Sequence, residues 1–506
     1  MLLSTFFKKK DSHPHPRPVP RYEGKISVKT LRDLFSDCMD FIVRDVHITG
    51  HALGNVSVCY IDGMVSGVHV SENIIRPLTE SPLLINAPNA RSCMDLMLHG
   101  GVYNYAARER DSLDDIVWDL THGSCAIILE RKNVALTFET KSAEHRSIEQ
   151  PTVEKSVLGS KDSFVEIVRI NTSLVRNKLR DPDLKLKQTT VGRRSSTSVA
   201  VMYMQNIAKP ELVQEIQRRL DSIDIDGITS VGDLEDYIVD NPRSLFPQVM
   251  HTERPDRFAI GLLNGQVGLL ADGLPFGLLL PGTLPEFMRV PDDEARHALV
   301  ASFLLVLRWL AFGLSLILPA MLVAVALYHQ EMIPSKLLLS MIAAKQQVPF
   351  TAAAEVLGML LAFELLQEAG LRLPSSVGQT VSIIGALIVG QSAVEARVIS
   401  PIAVIVVALS GIAGYTQPNQ EIGAALRICR LVLVIVTLLA GMFGLMMGLV
   451  LLLWCLCSME SFGLCYMSPL VDSKPGDILK TLLRFPLRKN KFRDPRLTDS
   501  NRRRQA

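Results

Sequence analysis

The first half of the chain alternates short apolar runs with turn residues and amphipathic segments. The apolar run Val56 to Ile61 ends at the turn Asp62-Gly63, and the run Val199 to Met204 precedes an amphipathic segment. In that segment four apolar residues recur at helical spacing and fall on one helix face. They are Leu212, Val213, Ile216 and Leu220. These patterns predict an α/β fold built from pairs of strands and helices.

Each predicted strand and helix pair is followed by two apolar runs joined by a turn, which is typical of a β-hairpin. The paired runs are Cys125–Leu129 with Val134–Phe138, and Val267–Leu270 with Phe276–Leu280. The repetition predicts two small related α/β subdomains, at residues 25–140 and 196–295, separated by a polar linker at 141–195. Chance similarity between common strand and helix patterns is the alternative.

The second half is dominated by long apolar segments that are typical of membrane helices. Trp309 to Leu327 is free of charged residues and has the ~20 residues needed to cross a hydrocarbon core of ~30 Å. Ile333 to Val348 is shorter and contains lysines, which favours an interfacial or re-entrant helix. Four more apolar segments follow, at Phe350–Glu368, Val377–Val394, Pro401–Tyr415 and Leu431–Cys457. Together they predict an all-α polytopic membrane domain over residues 296–470, whose last helix is long enough to tilt or project.

Composition and charge support this division into a soluble and a membrane half. The 506 residues are 48% hydrophobic and carry a formal net charge of +2, which averages a mixed-charge first half, a nearly uncharged apolar stretch and a basic tail. A chain of this length is expected to fold as more than one domain. The proline-rich residues 1–24 predict an unfolded leader without the features of a secretion signal.

Basic residues beside membrane helices favour the cytoplasmic side of the membrane. The first half and the basic tail, residues 471–506, are therefore both predicted to be cytoplasmic. Five full crossings would place the tail on the opposite side from the first half. One segment is expected not to cross completely, either Pro401–Tyr415, which is the shortest, or Phe350–Glu368, which contains charges.

The sequence contains no motif typical of a catalytic or metal site, and it predicts neither an enzyme nor a cofactor. The eight cysteines lack the paired spacing of a zinc or redox site, so reduced thiols are expected. His251 stands near Glu253 and Asp256, where a hydrogen-bonded loop anchor is favoured over a general base. The basic run Lys178 to Lys187 lacks interleaved aromatic residues, so binding to nucleic acid is not predicted.

Polar side chains inside the apolar segments are the candidate functional residues. Glu355, Glu364 and Glu368 are expected to face protein, water or one another, because an ionised carboxylate facing lipid costs several kcal/mol or more. The following helix is the candidate ion pathway, since conduction and closure require polar groups and an apolar constriction. Its residues are Gln379, Ser382, Ile383, Leu387, Gln391 and Glu395. A hydrogen-bond network between helices, without a permeating ion, is the alternative.

Two further groups of residues are predicted to stabilise the helical half. Gly441, Gly444 and Gly448 place small residues on one face of the last helix, which favours close packing between helices. Glu364 has Glu368 and Arg372 nearby in the sequence, so a structural ion-pair cluster near the helix end is expected. Neither group is expected to contact a permeating ion.

Longer motifs occur in both halves of the chain. In the first half they are Tyr60–Gly63, Glu149–Glu154, Phe164–Glu166, Arg218–Gly227 and Phe246–Arg257. In the second half they are Phe363–Pro374, Val377–Gly390 and Ser461–Leu470. With these motifs the chain resembles the A subunits of the GerA-type spore germination receptors of endospore-forming Firmicutes, including the SpoVAF-like proteins. The resemblance covers nearly all of the chain beyond the leader, although Leu158 to Ser163 departs from a more basic, proline-containing stretch typical of the family.

The resemblance implies a subunit of a germination receptor complex in the spore inner membrane. Such A subunits are thought to form homo-oligomeric rings and to act as nutrient-gated ion channels, whose ion release begins the exit from dormancy. The implied partners are a transporter-like B subunit that senses nutrients and a lipoprotein C subunit. SpoVAF-like relatives are thought to amplify the response instead, and the sequence leaves both branches open. A secondary transporter and a non-conducting membrane scaffold are alternatives from other classes.

Overall fold

The computed structural model describes residues 21–47, 55–102, 106–141, 151, 154, 159–372, 390–471, 475–486, 488 and 490–504. The chain divides into two units. The first contains residues 1–148, 165–188 and 200–205, and the second contains residues 149–164, 189–199 and 206–506. All of the long apolar helices belong to the second unit.

Five strands of the first unit are β1 (Phe41–His47), β2 (Asn55–Ile61), β3 (Ala107–Arg110), β4 (Ser124–Leu129) and β5 (Val134–Glu139). They form one antiparallel sheet in the order β1-β2-β4-β5-β3. The first predicted hairpin is confirmed, with Leu129 paired to Val134 and with Asn133 in the left-handed conformation. Asparagine tolerates that conformation better than most residues, so the turn sequence supports this register.

Helices cover both faces of this first sheet. They are α1 (Val28–Leu34), α2 (Gly67–His69), α3 (Arg76–Glu80), α4 (Pro82–Ile85), α5 (Ala90–Leu96) and α6 (Leu113–Thr121). Because successive residues of a strand point to opposite faces, Val58 packs in the core that contains Cys93 of α5, whereas Cys59 packs in the core that contains Ile116 of α6. The sheet is therefore a central layer between two helical layers, as expected for an α/β subdomain.

The segment 141–195 is not a simple polar linker, which corrects that prediction. It contains the helix α7 (Val168–Lys178) and the strand β6 (Leu184–Val191). In α7 the side chain of Arg176 is 3% exposed, and its Nη2 donates to Asp40 Oδ1 at 2.8 Å. The many charged residues of this segment are typical of a solvated linker. The guanidinium of Arg176 can nevertheless be buried, because the carboxylate of Asp40, 136 positions away in the chain, pairs with it.

The second sheet contains β6, β7 (Thr197–Met204), β8 (Met250–Thr252), β9 (Val267–Ala271) and β10 (Gly277–Leu280). Its strand order, β6-β7-β9-β10-β8, is the order of the first sheet when the strands are counted from β6. The second predicted hairpin is confirmed by the antiparallel pairing of Leu280 with Val267. The helix α8 (Pro210–Asp221) follows β7 and buries the four apolar residues that the spacing predicts.

Four more helices accompany this second sheet. They are α9 (Val231–Ile238), α10 (Pro255–Asn264), α11 (Leu284–Phe287) and α12 (Pro291–Ala295). The helix α10 lies very close to the sheet at Gly268 of β9, where an added Cβ would come within 2.1 Å of the Phe258 ring. Glycine at this position therefore allows the helix to approach the sheet closely.

Among the described residues, five helices of the second unit lie in the helical half. They are α13 (Ala298–Leu327), α14 (Ser335–Lys345), α15 (Ala352–Arg372), α16 (Pro401–Tyr415) and α17 (Gln420–Ser458). Judged by length and composition, two of the described helices, α13 and α17, could cross a membrane. The helix α16 has 15 residues, and α15 carries three glutamates. Of the predicted helix Val377–Val394, residues 377–389 lie outside the described part of the chain.

The last apolar segment is a helical hairpin, which corrects the prediction of one long helix over Leu431–Cys457. Its backbone turns at Gly441, where φ is +60° and ψ is −140°. A Cβ on Gly448 would lie 2.5 Å from Leu433 Cδ2, although 15 residues of straight helix would separate the two positions by about 22 Å. The two arms, residues 420–440 and 442–458, therefore pack antiparallel against each other.

Both ends of this hairpin return to the second soluble subdomain. Beyond the second arm, the Ser461 hydroxyl donates to the Gln248 carbonyl oxygen at 2.9 Å. The chain then continues into α18 (Pro475–Leu482), and Arg493 Nε donates to the Leu263 carbonyl oxygen at 2.7 Å. The described part of the predicted basic tail is thus packed on the second subdomain.

Candidate functional site

The start of the helical hairpin is held by a histidine between two glutamates. His251 lies in β8, Glu235 in α9 and Glu421 in the first turn of α17. His251 Nδ1 is 2.8 Å from Glu421 Oε1, and His251 Nε2 is 2.9 Å from Glu235 Oε2. Asn419 caps α17, and its side chain accepts from the backbone N–H groups of Glu421 and Ile422. We refer to Glu235, His251 and Glu421 as the His251 bridge.

The electrostatics of the His251 bridge favour a protonated imidazole. Burial lowers the pKa of His251, but the carboxylates of Glu235 and Glu421 outweigh burial and raise the pKa to about 10. The imidazolium then carries the opposite charge to both partners. A carboxylate near the start of a helix is also favoured by the helix dipole, which supports the position of Glu421.

The three possible ligand atoms of the His251 bridge lie within 4.8 Å of one another, a spacing that a metal site would also have. A histidine binds a metal through the lone pair of one ring nitrogen. Both ring nitrogens of His251 instead face a carboxylate oxygen. This arrangement supports an ion-paired link between the soluble subdomain and α17.

The partners of His251 differ from those that sequence proximity suggested. Glu253 and Asp256 are its neighbours in the chain, whereas Glu235 and Glu421 make the contacts. The predicted role as an anchor is retained, but the anchor holds a helix of the apolar half and the histidine lies in a strand. The partner Glu421 is 170 positions away from His251, and no spacing in the sequence signals this contact.

A second charged contact holds α13 at Arg308, about three turns after the helix begins. Arg308 Nη2 donates to Asp293 Oδ1 of α12 at 3.0 Å, and Arg308 Nη1 donates to the Met288 carbonyl oxygen at 3.3 Å. Gln417, just before α17, donates to the Arg308 carbonyl oxygen at 3.4 Å. The first turn of α17 and the third turn of α13 are therefore connected to the second α/β subdomain by charged and polar contacts.

A polar cluster inside the helical half was missed at the sequence level. Arg430 of α17 is 7% exposed, and its Nη1 donates to the Ser410 hydroxyl at 3.0 Å. That hydroxyl donates to the Ser315 carbonyl oxygen at 2.8 Å, which links α17, α16 and α13. The apolar segment was predicted to begin at Leu431, so Arg430 was placed outside the helix. Its charge directly before a long apolar run is the signal that could have identified it.

Most of the predicted ion pathway lies outside the described residues. This applies to Gln379, Ser382, Ile383 and Leu387, whose roles remain predictions. Gln391 and Glu395 are described, and Gln391 Nε2 donates to Glu395 Oε1 at 2.8 Å. Their separation of four positions places them on one helix face, as predicted.

The three glutamates of α15 lie in different surroundings. Glu355 is buried, with 2% exposure, and its Oε2 accepts from the Ser400 backbone N–H at 2.7 Å. Glu364 is 3.3 Å from Arg427 Nη1 of α17. Glu368 also makes a polar or electrostatic contact. The structure thus gives Glu364 an ion-pair partner in another helix, while the sequence suggested partners in α15 itself.

The three glycines of the predicted packing face all line the inside of the hairpin or its turn. Gly441 forms the turn, and an added Cβ there would lie 2.9 Å from Tyr328 Cγ. A Cβ on Gly444 would lie 2.5 Å from the Val436 carbonyl oxygen in the first arm. Together with the contact of Gly448, these distances show that the small residues permit close packing within one chain.

The stability contribution of the His251 bridge is expected to depend on pH. Because the folded state raises the pKa of His251 from about 6.5 to about 10, the stabilisation is fully present below about pH 6.5 and is lost as pH rises towards 10. We expect the stability difference between the wild type and His251→Gln to shrink between about pH 7 and pH 10. Denaturant unfolding of the two purified full-length proteins measures this difference in the free energy of unfolding. A difference that stays constant over this pH range would contradict a protonated His251 in the bridge.

The fold and the bridge together define a protein whose second α/β subdomain is joined by ion pairs to long apolar helices. A family model described as Bacillus/Clostridium GerA spore germination protein matches residues 29–496. The chain therefore belongs to the GerA spore germination protein family.

Individual relatives agree with this family. Spore germination protein KA of Bacillus subtilis (strain 168) is 36% identical, over 88% of this chain and 81% of that protein. Spore germination protein GerQA of Bacillus cereus is 35% identical, over 95% of both chains. The uncharacterized membrane protein YfkQ of Bacillus subtilis (strain 168) is 32% identical, over 91% of this chain and 89% of that protein.

A solved structure is also similar to part of the chain. It is the crystal structure of the N-terminal domain of the A subunit of the Bacillus megaterium spore germinant receptor GerK3, with 27% sequence identity and a TM-score of 0.40. The match covers 51% of this chain and 97% of that domain.

Proposed function

We propose that this chain is the membrane subunit of a spore germination receptor in the spore inner membrane and forms part of a nutrient-gated ion path. Relatives named as spore germination proteins support the receptor role. The name of a further relative describes a membrane protein, and α13 and α17 have the length and composition to cross a bilayer. The activity belongs to a receptor complex with a transporter-like B subunit and a lipoprotein C subunit.

The proposed topology places the soluble half and the C-terminal residues on the cytoplasmic side. In this proposal α17 crosses the membrane twice, since each arm has about the ~20 residues that a crossing requires. With two crossings by α17 the total number of crossings becomes even. The first half and the tail then lie on the same side of the membrane although every segment crosses completely. Contacts of both hairpin ends with the second soluble subdomain support this topology.

The single observation that carries the proposed mechanism is the pair of charged contacts that join the two long helices to the second α/β subdomain. The His251 bridge holds α17, and Asp293 holds Arg308 of α13. A shift of the second soluble subdomain would therefore act on both helices at once. This gives a direct physical route from a signal received by the soluble half or its partners to the helical half.

The proposed ion path forms between several copies of the chain in a ring. Large apolar side chains of the second arm are exposed, including Phe443 at 70% and Trp454 at 69%. Such a surface requires lipid or another protein chain to cover it. The predicted pathway residues from Gln379 to Glu395 would face the centre of the ring, where Leu387 would form the apolar constriction.

Ion release from spores tests this function. Glu421→Gln is expected to reduce nutrient-triggered release at least about tenfold with unchanged protein abundance, because the neutral amide weakens the bridge to His251. Glu460→Gln, which changes an exposed glutamate beyond the other end of the hairpin, is the matched control and should respond normally. Leu387→Ser should release ions without nutrients.

The possible results separate the two parts of the proposal. A normal response of Glu421→Gln spores would contradict transmission through the His251 bridge. If purified wild-type chain and Leu387→Ser chain both left liposomes impermeable to ions, the ion path itself would be wrong, and a non-conducting scaffold would be favoured.

A further inference from the structure

An apolar pocket lies where α13, α14, α15 and the start of α16 meet. It encloses about 60 Å³. Most of its lining is aliphatic and includes Leu322, Leu338, Met341, Ile342 and Ala403. The charged side chains of the lining are those of Glu355 and Lys345. An acid and a base thus share one mainly apolar pocket.

The carboxylate of Glu355 is fixed on one side and unpaired on the other. Its Oε2 accepts from the backbone N–H of Ser400, the residue that caps α16. Its Oε1 is buried and has no hydrogen-bond partner. Within the described residues, no basic side chain forms an ion pair with Glu355, although Lys345 lines the same pocket.

An unpaired buried carboxylate oxygen is energetically unfavourable unless a donor reaches it. An alkyl ammonium group suits this position, because it supplies three N–H donors, a positive charge and an attached carbon chain for the aliphatic walls. Lys345 adds a requirement for an anionic group on the same ligand, since an isolated second cation would be repelled. A zwitterion with a primary ammonium group satisfies both side chains.

We propose that this pocket binds a zwitterionic ligand whose primary ammonium group donates to Glu355 Oε1 and whose anionic group faces Lys345. Two sources carry this chemistry: the headgroup of an aminophospholipid and a small free zwitterion. The helix α14, which buries none of its side chains, forms one wall of the pocket. This proposal does not depend on ion conduction, so the ligand site and the ion path can be disproved separately.

The test compares ligands that differ at the ammonium group, using the purified full chain. Nanodiscs containing phosphatidylethanolamine are compared with nanodiscs of phosphatidylcholine, whose trimethylated nitrogen has no N–H donor. β-Alanine in detergent is the probe for a free zwitterion. We expect one of the two primary ammonium probes to raise the Tm by about 2–4 °C at ten times its dissociation constant. A rise with phosphatidylethanolamine identifies the lipid source, and a rise with β-alanine identifies the free source.

Variants connect the effect to the pocket. Glu355→Gln keeps an acceptor for the Ser400 N–H but removes the charge, and it should abolish the Tm rise. Glu364→Gln changes a partly exposed glutamate of the same helix and should retain it. Lys345→Met should weaken binding of the zwitterion at least about fivefold, whereas binding of n-butylammonium should be unchanged or stronger because the repelling charge is removed. A full Tm rise in Glu355→Gln, or no Tm rise with either phosphatidylethanolamine (relative to phosphatidylcholine) or β-alanine, would overturn the proposal.

Discussion

Gly441→Val is expected to prevent the last apolar segment from folding into its hairpin. The backbone of Gly441 has φ +60° and ψ −140°, a region that L-residues with a side chain rarely occupy, at a cost of about 1–3 kcal/mol. The new side chain would also meet the Tyr328 ring, whose Cγ lies 2.9 Å from an added Cβ. Tyr328 cannot move freely, because its hydroxyl donates to the Leu438 carbonyl oxygen at 2.6 Å. Overpacking of this kind adds about 1–3 kcal/mol.

Size-exclusion chromatography and thermal unfolding of the detergent-purified protein measure this loss. Gly423→Ala is the matched control, because Gly423 lies in the first arm with no atom within 4 Å of an added Cβ. Alanine in a helix interior is favoured over glycine by up to about 1 kcal/mol, so this control should be unchanged or slightly more stable. Equal stability of the two variants would contradict the turn at Gly441.

The same variant tests the proposed topology. A single cysteine at Ser500 should be inaccessible to an external, membrane-impermeant thiol reagent when the hairpin forms, since the tail then lies in the cytoplasm. In Gly441→Val protein that still inserts, a straight last helix would carry the tail to the other side and expose this cysteine. Labelling of Ser500→Cys in a chain that retains Gly441 and whose eight native cysteines are replaced would contradict the proposal that α17 crosses twice.

Asp40→Ala is expected to destabilise the first subdomain by about 3–5 kcal/mol, because it leaves the buried guanidinium of Arg176 without its carboxylate. Burial by itself lowers the pKa of Arg176, and the Asp40 carboxylate reverses this effect and raises the pKa. Because a guanidinium stays protonated in proteins, the charge of Arg176 persists in the variant and has to be exposed to water by local opening of α7.

Hydrogen exchange followed by mass spectrometry on the full chain measures this opening. Amides of residues 168–178 should exchange at least about a hundredfold faster in Asp40→Ala, since each ~1.4 kcal/mol corresponds to a factor of ten. The control is Asp62→Ala, which removes the carboxylate partner of Arg169 in an exposed pair of the same helix. Exposed pairs contribute about 0–1 kcal/mol, so exchange there should change little. Similar protection in both variants would show that burial of Arg176 does not stabilise α7.

The local sequence pattern was sufficient to predict an element where a residue's neighbours in the chain are also its neighbours in the fold. The hairpin from Cys125 to Phe138 could be predicted because its turn and its alternating strands are adjacent in sequence. The buried face of α8 could be predicted because Leu212 and Ile216 are one helical turn apart. The fold of the polar segment that contains α7 could not be predicted in this way, because Arg176 is buried only when Asp40 supplies the opposite charge.

The His251 bridge illustrates the same limit at the candidate site. Sequence proximity offered Glu253 and Asp256 as partners. Glu253 lies beyond the end of β8 and accepts from the Glu154 backbone N–H, whereas Asp256 belongs to α10 and accepts from Arg254. The observed partners, Glu235 and Glu421, come from two helices that only the folded chain brings to β8. The burial of Glu355 with one free oxygen likewise depends on the packing of four helices.

The sequence by itself determined the α/β character of the first half, the two hairpins, the apolar character of the second half and the family of the chain. These properties depend on local periodicity, on overall composition and on long motifs, all of which are present in the order of residues. The tertiary structure decided the turn of α17 at Gly441, the partners of His251 and Arg176, and the pocket at Glu355. Each of these depends on contacts between residues far apart in the chain, where burial and opposite charge act together only after the elements have packed.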